Sequence, residues 1–190
     1  PLQQNLSEEQ VEILKNAGDN NSLMTAPSAF VDTYSENKIL YEKVIIGGIE
    51  VFQFSNDETD TLYNVKFLLV GNNQGNYILG NNNTVGKIYE YIAPIAGIPQ
   101  GNYEPITRLI APTKIQIATI LGNYNPSEKT NVDFELGLST NDLNLFSTID
   151  DQNNTGIAAK INGKQRLFSG KFNIDAFANY QMVKENFRTI

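Results

Sequence analysis

Hydrophobic positions recur with a helical period at one end of the chain and with a period of two along most of the rest. Ser7-Glu8-Glu9-Gln10 has the form of a capping box with Gln10 at the third helical position, and Leu6 can pack on Val11 as a hydrophobic staple. Gly18 supplies a left-handed stop, so the pattern predicts a helix from Glu8 to Ala17 that buries Val11, Leu14 and Ala17. Such an arm covers the end or edge of a sheet, or docks a partner protein. This divides the chain into an N-terminal helical arm over 1–22 and a single β-rich domain over 23–190.

Beyond Ser22 the alternation is that of strands. Lys38 to Ile46 and Ile49 to Ser55 flank Gly47-Gly48, a two-residue turn in which both positions accept positive φ, and this reads as a hairpin. Its register sets Ile46 opposite Ile49 and Val44 opposite Val51. Further strands are expected over Thr61 to Val70, Val85 to Ala93, Lys114 to Leu121, Val132 to Ser139, Ile157 to Ile161 and Gln165 to Phe172. The cleanest is Val132 to Ser139, apolar at every second position, as in a strand wet on one face. Turns are expected at Gly71 to Gly75, Gly80 to Asn83, Asn123 to Ser127 and Asp150 to Gly156. From Phe172 to Phe187 the residues Phe177, Tyr180, Val183 and Phe187 also fit a helical stripe; the reading adopted is a strand to about Tyr180. The class expected is mainly β, an antiparallel sandwich or barrel-like sheet with a short N-terminal helix.

A three-residue echo recurs at Gly75-Asn76-Tyr77, Gly101-Asn102-Tyr103 and Gly122-Asn123-Tyr124. Its unequal spacing excludes a strict solenoid and suits strand-loop units sharing one turn chemistry: Gly and Asn accept turn angles, and Tyr lays a ring over the strand end. A repeated sugar-stacking Tyr is the functional alternative, although there is no Trp to join it.

Composition narrows the chemistry. The 190 residues include 25 Asn but no His and no Cys, which removes imidazole bases, thiol nucleophiles and zinc or iron sites of the usual N/S kind. The net charge of -7 argues against nucleic acid as a partner, since phosphate binding draws on excess Lys and Arg. The longest apolar runs fall far short of the roughly 20 residues of a spanning helix, so no transmembrane helix is expected. A chain that begins at Pro1 without a charged or apolar leader reads as a processed protein or an excised fragment.

Two acidic features stand out. Asp133 and Glu135 share the polar face of one strand and resemble the alternating acidic motif of jelly-roll glycosidases, but Gly137 stands where a third acid would follow. In the second, Asp150 and Asp151 open a loop in which Asp151, Asn153 and Thr155 precede Gly156 in the order of a calcium loop. Asn162 replaces the closing bidentate Glu, so an ion held here would be a weak structural calcium. No strand-to-helix glycine loop for phosphate is present. Asp60-Thr61-Leu62 matches a short O-glycosylation pattern of bacterial envelope proteins, a match expected by chance.

One family resemblance runs from about residue 60 to the end. It is carried by Tyr89-Glu90-Tyr91, Gly101 to Pro105, Leu109, Pro112, Gly122, Tyr124, Phe134-Glu135-Leu136, Ser139, Asn141-Asp142, Asn144, Phe146-Ser147, Asp150-Asp151, Asn154, Gly156, Tyr180 and Asn186-Phe187-Arg188. In these the chain resembles a segment of the long β-rich envelope proteins of Bacteroidota, a group taken to include the plug protein of the type IX secretion translocon. The resemblance implies a piece of a longer polypeptide with a noncatalytic structural role. A rigid β-domain would pack against or occlude an outer-membrane β-barrel channel for protein secretion, facing the periplasm or the cell surface. The competing expectation is a calcium-assisted carbohydrate-binding module, with Tyr rings exposed near Asp150 to Gly156. An enzyme would need a cleft holding two opposed carboxylates.

Overall fold

The computed structural model describes residues 5–80 and 86–189. Asn81 to Asn83 of one expected turn, and Val85 at the head of one expected strand, lie outside the described residues. The elements are α1 (Glu8–Ala17), β1 (Thr25–Pro27), β2 (Phe30–Val31), β3 (Leu40–Ile46), β4 (Ile49–Ser55), β5 (Tyr63–Asn64), β6 (Leu68–Leu69), β7 (Tyr77–Leu79), β8 (Tyr89–Tyr91), β9 (Tyr103–Glu104), β10 (Ile106–Arg108), β11 (Lys114–Ser127), β12 (Thr130–Asp142), a turn of 3-10 helix (Asp151–Asn153), β13 (Thr155–Ser169) and β14 (Asn173–Val183). Among the described residues all pairings are antiparallel and no sheet closes into a barrel, so the fold is mainly β with one short N-terminal helix. The described residues form two compact units, one within 24–109 and the other made of 5–23 with 110–189.

Residues 24–109 hold two four-stranded sheets, ordered β2-β5-β3-β4 and β6-β9-β7-β8, with β1 and β10 paired beside them. The β3–β4 hairpin turns at Gly47-Gly48, whose φ angles of 60° and 83° only glycine adopts without strain, and it pairs Ile46 with Ile49 and Val44 with Val51 as expected. Thr61 to Val70 does not run as one strand; it breaks between β5 and β6 because Phe67 turns into the core. Its ring lies 5.1 Å from Tyr41, 4.8 Å from Tyr77 and 4.5 Å from Tyr89, the last pair stacked. Two buried tyrosines clasp the sheets reciprocally. Tyr41 of β3 accepts the Tyr89 amide hydrogen at its hydroxyl (2.9 Å), and Tyr77 of β7 accepts that of Phe52 (2.8 Å). Burial pushes the Tyr41 phenol up to about 12.

In the other unit β11, β12, β13 and β14 follow one another as an antiparallel meander. Strands β11 and β13 are longer than expected: β11 continues to Ser127, and Ile157 to Ile161 merges with Gln165 to Ser169 into β13, which carries Asn162 and Gly163 in its ladder. Residues 170–172, expected to extend the strand, form the turn before β14. Phe172 to Phe187 resolves as strand to Val183, held by pairing with β13 rather than by a helical stripe. Helix α1 starts on its reciprocal cap, with Ser7 Oγ accepting from the Gln10 amide and Gln10 Oε1 from that of Ser7. At its other end the orphan carbonyls are met from the β12–β13 connection: Asn144 Nδ2 donates to Leu14 O and Gly18 O, both 2.7 Å, and Ser147 Oγ donates to Lys15 O.

Candidate functional site

The register of the meander sorts its side chains into two unlike faces. On one, cross-strand neighbours form the rows Ala118–Leu138–Ile157, Ile120–Leu136–Ala159–Met182, Gly122–Phe134–Ile161–Tyr180 and Tyr124–Val132–Gly163–Ala178. These rows hold no charge and no polar group beyond two tyrosine hydroxyls, and the described residues leave them uncovered: Ile120 is 61% exposed and Tyr180 59%. Apolar surface of this extent outside a core marks a contact surface.

The opposite face is built otherwise. Its upper rows mix small and branched residues, Ile117–Ser139–Gly156 and Thr119–Gly137–Ala158–Val183, and its lower rows are polar apart from the exposed Leu121, Leu121–Glu135–Lys160–Gln181 and Asn123–Asp133–Asn162–Asn179. Below these, Arg166 donates to both Asp175 oxygens at 2.8 and 3.2 Å, with Lys164 Nζ 3.6 Å from the same carboxylate, and this holds the Asp175 carboxyl below the usual carboxylate range. The small residues admit the chain after β14. The Phe187 ring packs over Gly137, the Arg188 amide donates to Ser139 Oγ, and a Cβ on Gly156 would stand 2.2 Å from Phe187 Cα. Sequence reasoning missed this clasp because nothing in the residue order shows that Gly137, Ser139 and Gly156 are neighbours.

The repeated tripeptide separates into two uses. Gly75 and Gly101 bridge each other, amide to carbonyl in both directions, and Tyr77 pairs with Tyr103. These glycines provide space rather than turn angles, since a Cβ on Gly75 would meet Tyr103 O at 2.3 Å and one on Gly101 would meet Tyr77 O at 2.4 Å. Gly122-Asn123-Tyr124 is not a turn; β11 runs through it, with the Phe134 ring lying over Gly122 and Asn123 Nδ2 donating to Asp133 Oδ1. Tyr77 is 3% exposed and the Tyr103 ring packs against Tyr89, so neither offers a stacking platform, whereas Tyr124 belongs to the apolar face.

At the acidic loop the oxygens serve the fold. Asp150 Oδ2 accepts the Asp19 amide hydrogen at 2.8 Å, Asp151 Oδ1 accepts from Asn154 Nδ2, Asn153 lies in the 3-10 turn and Thr155 opens β13. No three acidic side chains converge as a metal-binding group among the described residues. Burial raises the Asp19 carboxyl, and Asp150, Asp142 and Asp151 add to the effect. Asp133 and Glu135 follow each other on the polar face, beside Asn123 and opposite Lys160 respectively. No family model, curated protein or solved structure matches this chain.

Proposed function

We propose that this chain is a noncatalytic structural and interaction domain of a bacterial outer-membrane protein assembly, facing the periplasm or cell surface. Its partners are then an outer-membrane β-barrel or another envelope protein, and occlusion of a protein-secretion channel is the role that the resemblance to Bacteroidota envelope proteins suggests. One observation carries the reading: four long strands present a charge-free apolar face that the described residues leave bare, backed by a face that holds the charges of the sheet's central rows along with a few exposed apolar side chains such as Leu121 and Phe177. A protein working alone in water buries such a face, because apolar area returned to water costs about 25 cal/mol per Å². No helix among the described residues is long and apolar enough to cross a membrane, a criterion silent about strands.

Fractionation of the source cells, followed by affinity purification of the native protein from the detergent-solubilised envelope, tests the reading. Recovery in the outer-membrane fraction with a β-barrel protein is expected. Recovery as a free soluble protein would contradict it.

A further inference from the structure

Resting on that reading and deepening it, we infer that the bare face of β11–β14 is the lipid-facing side of a membrane-spanning β-wall, and that the opposite face, which holds all the charges of the central rows, looks into a water-filled interior. Four features favour acyl chains over an opposing protein sheet. The first is strand length. These strands have 11 to 15 residues, beyond the about 5–6 usual in soluble sheets and sufficient for the roughly 9–11 that a tilted strand needs to span a bilayer.

The second is the height of the band. Its apolar positions run from Ala118 to Tyr124 on β11 and from Ile174 to Met182 on β14. At about 3.3 Å per residue that is roughly 20–26 Å along the strand, or about 15–20 Å of height at the about 40° tilt of barrel strands. The polar rows at Thr140 and Thr130 of β12 that enclose it stand about 25 Å apart in height, as at the edges of the apolar belt of outer-membrane barrels. Polar pairs bound it, Lys114 with Asp142 and Gln116 with Thr140 at one end, Thr130 with Gln165 at the other.

The third feature is stagger. The band is level on β11, β12 and β13, from the Ala118–Leu138–Ile157 row to the Tyr124–Val132–Gly163 row, and is displaced on β14 alone, where it runs from Met182, level with Ile120, to Ile174, past the Thr130–Gln165 row. A displacement of the band along the strands accompanies the tilted strands of a closed wall, and here it is the step between β13 and β14.

The fourth is the connections. Short turns at residues 128–129 and 170–172 lie at one end of the meander, and the longer connection over 143–154 lies at the other, the asymmetry of outer-membrane barrels. Tyr124, Phe168 and Phe172 collect at the short-turn end, where an aromatic girdle meets the membrane interface, and Phe168 and Phe172 have ring centroids 5.1 Å apart. Closure takes about eight strands or more, so a wall of this kind requires further strands against the outer edges of β11 and β14, which pair with no other strand among the described residues.

The chain has no Trp, so a single introduced indole reports without background. Tyr180→Trp on the apolar face and its neighbour Asn179→Trp on the polar face are compared in full-length protein, reconstituted from the source membrane into phosphatidylcholine vesicles. Ile161→Trp and Asn162→Trp repeat the contrast one strand over, in case one variant misfolds. Indoles at 180 and 161 should emit to the blue, lose most of their intensity when the lipid chains carry bromine, and resist aqueous iodide; those at 179 and 162 should do the reverse. Iodide quenching at 180 and 161 would overturn the inference. So would protection from both quenchers, the outcome for a face covered by a second copy or a protein partner. Either result in protein that fractionates with the outer membrane leaves the assembly reading standing, whereas protein absent from the membrane fraction removes that reading itself.

Discussion

Residues 24–109 and the four strands of 114–183 are both antiparallel β, but they place their apolar side chains in opposite ways. In the first, short strands send Tyr41, Phe67, Tyr77 and Tyr89 toward one another, and two tyrosine hydroxyls take backbone hydrogen bonds across the sheets. In the second, long strands align most of their apolar side chains on one face with nothing among the described residues upon it. A short strand can turn its side chains inward from several directions. A long one in a regular ladder carries every second side chain to the same side, and the surface it makes must be covered by something else.

The sharpest way to break the contrast is inside the aromatic core. Replacing Tyr41 by Ala, a fully buried ring, should cost the stability of residues 24–109 roughly 3–5 kcal/mol. Denaturant unfolding followed by hydrogen exchange should show the loss there and leave β11–β14 protected; equal loss in both units would unite what the comparison separates. Next comes the apolar face. Ile120→Lys should cost roughly 2–4 kcal/mol in a bilayer, as for Lys at mid-depth on a lipid face, and within about 0.5 kcal/mol in water, where the side chain is already exposed. Thr119→Lys, one residue away on the other face, should be tolerated in both media, as read by urea titration of the reconstituted and the detergent-free protein.

Smaller effects test how the sheet's ends are fastened. Asn144, 1% exposed, donates to two helix-end carbonyls, so Asn144→Ala should cost about 1–3 kcal/mol and speed exchange of the α1 amides. Gly156→Ala sets a methyl against the Phe187 backbone and should cost roughly 1–3 kcal/mol by overpacking, with faster tryptic cleavage after Lys184.

The smallest expected effect is that of pH, and it has opposite signs at two carboxylates. The raised Asp19 carboxyl holds its proton more tightly folded than unfolded, so stability rises as pH falls through its folded value. The lowered Asp175 carboxyl contributes stability above the ordinary Asp range, lost as pH falls through its depressed folded value. Carbon NMR titration should therefore place Asp19 above and Asp175 below the usual aspartate, and Asp19→Asn should remove only the first slope.

Much of this was legible where the determinant was local. Ser7, Gln10 and Gly18 specify α1 through contacts within a few residues, and Gly47-Gly48 specifies a hairpin turn together with its register. On β12 the alternation of Val132, Phe134, Leu136 and Leu138 announces a strand with one apolar side. On β11 the same alternation is hidden, because Ile115, Ile117 and Leu121 are apolar on the other face. β14 conceals it differently: small Ala176 and Ala178 hold the apolar positions while Phe177 stands among the polar ones with Lys164 Nζ 5.6 Å over its ring. The third Gly-Asn-Tyr reads as a turn because it repeats the residues of the first two, and the partner of its glycine, the Phe134 ring, lies across a strand pairing that residue order does not reveal. The bare face is a property of register and of what fails to cover it, and neither is written in one strand.

A nitroxide scan along β11, one Cys at a time from Ile115 to Asn125 of a chain with no native Cys, tests the central claim most directly. In reconstituted membranes, collisions with oxygen should peak at 118, 120, 122 and 124 and collisions with a water-soluble nickel chelate at 119, 121 and 123, the two profiles out of phase with a period of two. Profiles that rise and fall together, or even positions shielded from oxygen as well as from nickel, would contradict the account.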